Sequence, residues 1–191
     1  MNLPNCLSLL RLVLAPFFFT FLISYEGGSY QHLQWARLIF SAAVLTDVLD
    51  GFIARFFHQQ TELGRLLDPL ADKTLLLSGF LGLLFVSALP NHPPLWVTVT
   101  VVFRDLIILG GILVIFFTCG TVRVRPNFLG KAATAAQMVT LISILMQWSH
   151  SVWLCYGTAF LSAASMLSYV VRDFGFLLSN AQSVRSLEKE A

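Results

Sequence analysis

Residues 36–57 read ARLIFSAAVLTDVLDGFIARFF, and residues 66–89 read LLDPLADKTLLLSGFLGLLFVSAL. Each stretch reaches the length of about 20 residues that a helix needs to cross a hydrocarbon core. Yet each also carries two carboxylates, Asp47 and Asp50 in the first and Asp68 and Asp72 in the second. A charged side chain at membrane depth costs several kcal/mol, normally faces the bundle interior, and marks function. Asp47 and Asp50 are spaced i,i+3, and Asp68 and Asp72 i,i+4, so each pair shares one face of its own helix. The short link between the stretches predicts antiparallel neighbours whose acidic faces converge. Counting about 1.5 Å per residue, Asp50 and Asp72 lie roughly 10 Å inside the boundary that the two helices share.

The rest of the chain fits the same setting. Its 191 residues are 57% hydrophobic and only 12% charged, with a mean hydropathy of +0.76. Soluble domains carry about 25% charge, and a soluble globule of this size would leave too much apolar surface in water. The same composition excludes a disordered chain, a secreted disulfide scaffold and a nucleic-acid-binding domain. A net charge of +2 is too small to call for a polyanionic partner. Cys6, Cys119 and Cys155 lie far apart with no metal-type spacing and read as ordinary buried thiols.

The predicted fold is all-α: an integral membrane bundle of six transmembrane helices near Leu7–Ser24, Ala36–Phe57, Leu66–Leu89, Leu95–Phe117, Phe128–Trp148 and Val152–Phe174. One domain over 1–179 and a polar tail over 180–191 account for the chain. Arg11 interrupts the first apolar stretch where a cleavable signal would not place it. The second and fourth links with their flanks hold Arg55, Arg65, Arg123, Arg125 and Lys131, whereas the first, third and fifth links hold no Lys or Arg. Positive charge collects on the cytoplasmic side, so both termini and the basic links are expected there.

Four carboxylates drawn together repel one another, and divalent cations with oxygen ligands relieve that repulsion. Mg²⁺ suits the task because it leaves coordination positions for water and substrate phosphates. A proton or ion path in a small transporter is the rival reading. The residues around the carboxylates weigh against it. Gly51 lets a ligand approach the helix backbone, Ala54 keeps the same face shallow, and Arg55 offers a fixed fork for phosphate. Taken singly, Gly51 reads equally well as a packing glycine and Arg55 as a snorkelling side chain. Together they point to a pyrophosphate-containing substrate.

From Asp47 to Asp72 the chain resembles, at every fixed position, the signature of the CDP-alcohol phosphatidyltransferase family, D-x-x-D-G-x-x-A-R-x8-G-x-x-x-D-x-x-x-D. Asn2-Leu-Pro4-Asn5-Cys-Leu-Ser8-Leu-Leu-Arg11 is similar to the N-terminal pattern of its glycerophospholipid-making members. Arg104-Asp105 and Gly130-Lys131-x-x-Thr134-x-x-Gln137 match as well. The resemblance implies that Asp47, Asp50, Asp68 and Asp72 bind one or two Mg²⁺ or Mn²⁺ ions that hold the CDP pyrophosphate. It implies that Asp72 is also the general base, and that Asn5, Ser8, Asp47, Gly51, Ala54, Arg55 and Gly64 line the CDP site. Arg104, Lys131, Arg123 and Arg125 would bind the acceptor. The implied reaction moves a phosphatidyl group from CDP-diacylglycerol to a glycerol-type alcohol and releases CMP, at the cytoplasmic face of a bacterial inner membrane.

Two acceptors compete. Phosphatidylglycerophosphate synthases carry a further Leu-Arg about two turns after their Arg-Glu, and the corresponding stretch here, from Arg104 to Leu113, has no second Arg. The run Arg123-Val-Arg125-Pro126-Asn-Phe128-Leu-Gly-Lys131 resembles cardiolipin synthases, so phosphatidylglycerol leads and glycerol 3-phosphate follows. Arg104 has a bland alternative as an interhelical salt bridge. Its neighbour Asp105 points about 100° away on a helix and is not expected to pair with it. The four histidines (His32, His58, His92 and His150) read as solvated or interfacial. The run Ala132-Ala133-Thr134-Ala135-Ala136 reads as a close helix contact, suited to a homodimer seam.

Overall fold

The computed structural model describes residues 3–25, 30–56, 62–87, 89, 91–119 and 128–169, with side chains for 6–25, 30–47, 70–87, 89, 91–111 and 128–169. Among the described residues six helices run in order: α1 (Leu3–Ile23), α2 (Tyr30–Phe56), α3 (Glu62–Phe85), α4 (Leu95–Cys119), α5 (Phe128–Leu145) and α6 (Ser151–Tyr169). No strand occurs among the described residues. Among the described residues three helices contain stretches both long and apolar enough to cross a membrane, Cys6–Ile23, Phe128–Leu145 and Ser151–Tyr169. In α2 and α3 the acidic and basic residues that mark the candidate site lower the mean hydropathy.

Local chemistry sets the ends. The Pro94 carbonyl accepts from the amides of Val97 and Thr98 (3.0 and 3.3 Å), so α4 begins directly after the Pro93-Pro94 pair, where a preset φ favours the first turn. At the C-terminus of α5, Gln147 takes a left-handed φ of 56°. The Trp148 amide donates back to Ser143 and the Gln147 amide to Ile144, both at 2.9 Å. This is a Schellman cap, with Gln where Gly is usual. It ends α5 three residues before the predicted Trp148. The Arg37 Nε then donates to the freed Leu145 carbonyl (2.6 Å), tying α2 to that cap. α2 itself starts at Tyr30 rather than Ala36, because hydropathy sees the apolar length of a helix and not its polar first turns.

The packing departs from the expected neighbours. α1 lies between α2 and α3 and packs broadly on both, while α2 and α3 touch only marginally among the described residues. Phe18 on α1 meets Phe40 on α2 with ring centroids 5.2 Å apart. On the other flank Gly79 and Gly82 admit α1 and α5 to α3. A Cβ on Gly79 would lie 2.8 Å from Leu141 and 3.3 Å from Phe18, and one on Gly82 2.8 Å from Leu22. Small residues at such contacts let helix backbones approach closely.

Polar residues are buried beside the apolar core. Ser151, Thr158, Ser162 and Ser165 are buried along one face of α6, and the Thr140 and Thr158 hydroxyls share a hydrogen bond of 2.6 Å. The outward face of the same helix carries Trp153 and Phe160, each 74% exposed. In lipid this arrangement turns polar groups inward and leaves apolar side chains to the surrounding hydrocarbon. Cys155 is buried as expected, but Cys6 is exposed on α1. The Cys119 side chain and the predicted tail, 180–191, lie outside the described residues. His92 and His150 are exposed, whereas His32 is half-buried with its ring 6.3 Å from that of Phe21.

Candidate active site

Arg11, Asp47 and Asp72 come from three helices and sit at one level. Arg11 is eight residues from the start of α1, Asp47 nine from the end of α2 and Asp72 ten from the start of α3. At 1.5 Å per residue these are depths of about 12, 14 and 15 Å from the same end of the bundle. The Arg11 Nη1 donates to Asp47 Oδ1 at 2.6 Å and also to Asp72 Oδ1. The Arg11 side chain is 1% exposed, and those of Asp47 and Asp72 are 29% and 27% exposed. The guanidinium is thus sealed beneath two carboxylates that still reach an open side. A buried arginine survives only when paired and hydrogen-bonded, and here its partners are the first and last aspartates of the acidic string.

The two acidic faces therefore meet at Arg11 of α1, with α2 and α3 touching only marginally among the described residues. Asp50 lies on α2 beyond Asp47, and Asp68 on α3 before Asp72; their side chains lie outside the described residues, as do those of Asn5, Gly51, Ala54, Arg55 and Gly64. Arg123 and Arg125 also lie outside them. Ser8, one turn before Arg11 on the same face, is buried. Among the described residues no group of three or more metal-type side chains forms. The donor set nonetheless suits a hard divalent cation: carboxylate oxygens from two helices, half-open, with two further aspartates one turn away on those helices.

A second charged cluster lies on the other side of α3. Arg104 Nη1 donates to Asp105 Oδ1 at 2.6 Å, and Lys73 Nζ donates to the same oxygen at 2.9 Å. The expectation that Arg104 and Asp105 cannot pair is therefore overturned. The helical angle separates their Cβ directions, but the long, flexible arginine stem brings the guanidinium back over its neighbour. Arg104 Nη2 donates to the Gly130 carbonyl (3.0 Å) and to Ser165 Oγ (3.2 Å). Arg104 thus makes interhelical bonds, but to α5 and α6 and not to the first cluster. Lys131, next to Gly130, is exposed.

Two residues of these clusters hold places that sequence reasoning misses. Arg11 reads from the sequence only as a topology marker and as part of the N-terminal pattern; the usable signal is a lone arginine inside 18 apolar residues, which must find a carboxylate. Lys73 directly follows Asp72, and nothing in its spacing announces a partner some 30 residues downstream.

A helical chain of membrane character, with carboxylates from two helices gathered on one buried arginine, defines a class of membrane proteins whose charges at membrane depth mark a functional site. The sequence profile of CDP-alcohol phosphatidyltransferases matches residues 1–171. The chain is 36% identical over 166 residues to a cardiolipin synthase (CMP-forming) of Streptomyces coelicolor, covering 84% of this chain and 74% of that one. It is 34% identical over 179 residues to the CDP-diacylglycerol–glycerol-3-phosphate 3-phosphatidyltransferase of Escherichia coli K12, covering 88% and 93%. The enzyme of the same name from Salmonella typhimurium is 33% identical over 191 residues, covering 93% and 97%. The chain belongs to the CDP-alcohol phosphatidyltransferase family.

Proposed function

We propose that the protein transfers the phosphatidyl group of CDP-diacylglycerol to the hydroxyl of a glycerol-type alcohol. The observation that carries this reading is the convergence of Asp47 and Asp72 on Arg11, in a chain whose family and relatives perform such transfers. The acceptor oxygen attacks the phosphorus that bears the diacylglycerol, a new P–O bond forms, and the bond to CMP breaks. Asp72 takes the hydroxyl proton as the nucleophile forms. A carboxylate fills that role when the hydroxyl comes within hydrogen-bond reach, and the half-open carboxylate of Asp72 is held in direction by Arg11. Asp47, Asp50, Asp68 and Asp72 would hold Mg²⁺ or Mn²⁺. When bound, such ions neutralise charge on the phosphoryl oxygens and on the leaving CMP. In this reading Asn5, Ser8, Asp47, Gly51, Ala54, Arg55 and Gly64 would line the nucleotide side of the site, and Lys131, Arg123 and Arg125 would bind the acceptor.

The acceptor is phosphatidylglycerol in the leading reading, which makes the product cardiolipin, with glycerol 3-phosphate as the alternative. Both Nη atoms of Arg104 are committed to Asp105, Gly130 and Ser165. That leaves a less cationic pocket, better matched to a phosphodiester than to a phosphomonoester dianion. All six helices span the bilayer with both termini in the cytoplasm, the carboxylates open to the cytoplasmic side of a bacterial inner membrane, and the Ala132–Ala136 run serves a homodimer. CMP release measured with each acceptor in turn tests the choice. Release with phosphatidylglycerol alone supports the leading reading, and release with glycerol 3-phosphate alone replaces it.

A further inference from the structure

Consecutive residues on a helix point about 100° apart, and α3 uses that angle to face two clusters at once. Asp72 turns toward α1 and α2, where Arg11 holds it together with Asp47. Lys73 turns toward α4 and α5, where its ammonium donates to Asp105 Oδ1 (2.9 Å) and to Thr134 Oγ1 (3.2 Å). Asp105 is wholly buried and receives Arg104 on the same oxygen. Arg104 is 2% exposed and extends the cluster to α5 and α6 through Gly130 and Ser165. The fit around it is tight. A Cβ at Gly130 would stand 3.4 Å from Arg104 Nη2 and 3.2 Å from the Tyr169 hydroxyl.

Two buried charges and a partly buried third inside a helical bundle are costly, and here the two cations are spent on one carboxylate rather than held open for a ligand. We infer that Lys73, through Asp105 and Arg104, is a positioning residue that clamps the rotation of α3 and so aims Asp72. An atom about 6 Å from a helix axis, near the outer radius of a helix with its side chains, moves about 1 Å when the helix rotates by 10°. A misplacement of 1 Å at a reacting group costs on the order of 10²-fold in rate. Ion pairs at adjacent residues, on faces of α3 about 100° apart, tie the helix to α1 and α2 on one face and to α4 and α5 on the other and so resist its rotation. This inference rests on the reading of Asp72 as the proton acceptor.

The test compares full-length wild type with Lys73→Met, Lys73→Arg, Thr134→Val, Asp105→Asn and the Lys73→Met/Asp105→Asn double variant. CMP release gives kcat and KM for CDP-diacylglycerol and for the acceptor, and thermal unfolding in detergent gives a readout without activity. Lys73→Met is expected to lower kcat about 10²-fold with both KM values within about threefold, and Lys73→Arg to recover most of the loss because it still reaches Asp105. A kcat within threefold of wild type, a matching rise in either KM, or failure of Arg to rescue overturns the clamp. If Lys73→Met does not fold, Thr134→Val carries the same comparison. It removes one of the two bonds from Lys73, and a kcat equal to wild type overturns the inference. A wild type inert with every acceptor defeats the transferase reading instead. The clamp is then judged by unfolding: the losses in Lys73→Met and Asp105→Asn must be non-additive in the double variant, and additive losses reject it.

Discussion

The Arg11 guanidinium has lost its water, and the carboxylates of Asp47 and Asp72 replace it. Breaking a buried pair by removing one partner costs roughly 3–5 kcal/mol. The partial exposure of both aspartates places the Arg11→Met change below that range, because water can resolvate the carboxylates left behind. Arg11→Met is therefore expected to fold with a lowered midpoint of thermal unfolding and to lose turnover. An unchanged midpoint would show that the bridge carries no stability. Asp72→Asn preserves size and hydrogen bonding but removes the proton acceptor. Turnover should fall by about 10²–10⁴-fold while CDP-diacylglycerol binding persists, and undiminished turnover would refute the role. The acidic string was legible because its spacing survives in sequence. The partners were not, since Arg11 pairs with residues 36 and 61 positions away and Arg104 folds back onto a neighbour that a helical wheel places out of reach.

At the scale of helices, hydropathy located all six elements but not their neighbours. It reports how long each element stays apolar. The placement of α1 between α2 and α3 depends instead on shape, through Gly79 and Gly82 on α3 and the Phe18–Phe40 contact. Gly79→Ala must displace Leu141 and Phe18, and overpacking of this kind costs about 1–3 kcal/mol. Gly110 on α4 has open space where a Cβ would stand, and Ala there gains about 0.5–1 kcal/mol from helix propensity. Thermal unfolding of the two variants should move in opposite directions. Equal shifts would show that α1, α3 and α5 are not packed through Gly79.

Over the whole molecule, the apolar exterior matches the membrane setting that composition announced, and the interior holds buried polar residues beside its apolar core. Exposed Phe85, Trp153 and Phe160 form part of an outer surface suited to lipid, while Arg104, Asp105, Gln137 and Thr140 are buried. The protein should therefore stay with membranes through an alkaline carbonate wash and leave them only in detergent. Release by carbonate would contradict an integral bundle. The proposed cytoplasmic placement of the basic links and termini predicts that a cysteine placed at Ser186, in a chain otherwise free of cysteine, reacts with an impermeant maleimide only from the cytoplasm. Reaction from the outer side would invert the orientation. The central claim is the transfer itself. Purified protein is incubated with CDP-diacylglycerol, phosphatidylglycerol or glycerol 3-phosphate, and Mg²⁺ or Mn²⁺, and CMP is measured. The account predicts acceptor-dependent CMP release that stops when the cation is chelated. No release with either acceptor under either metal would contradict it.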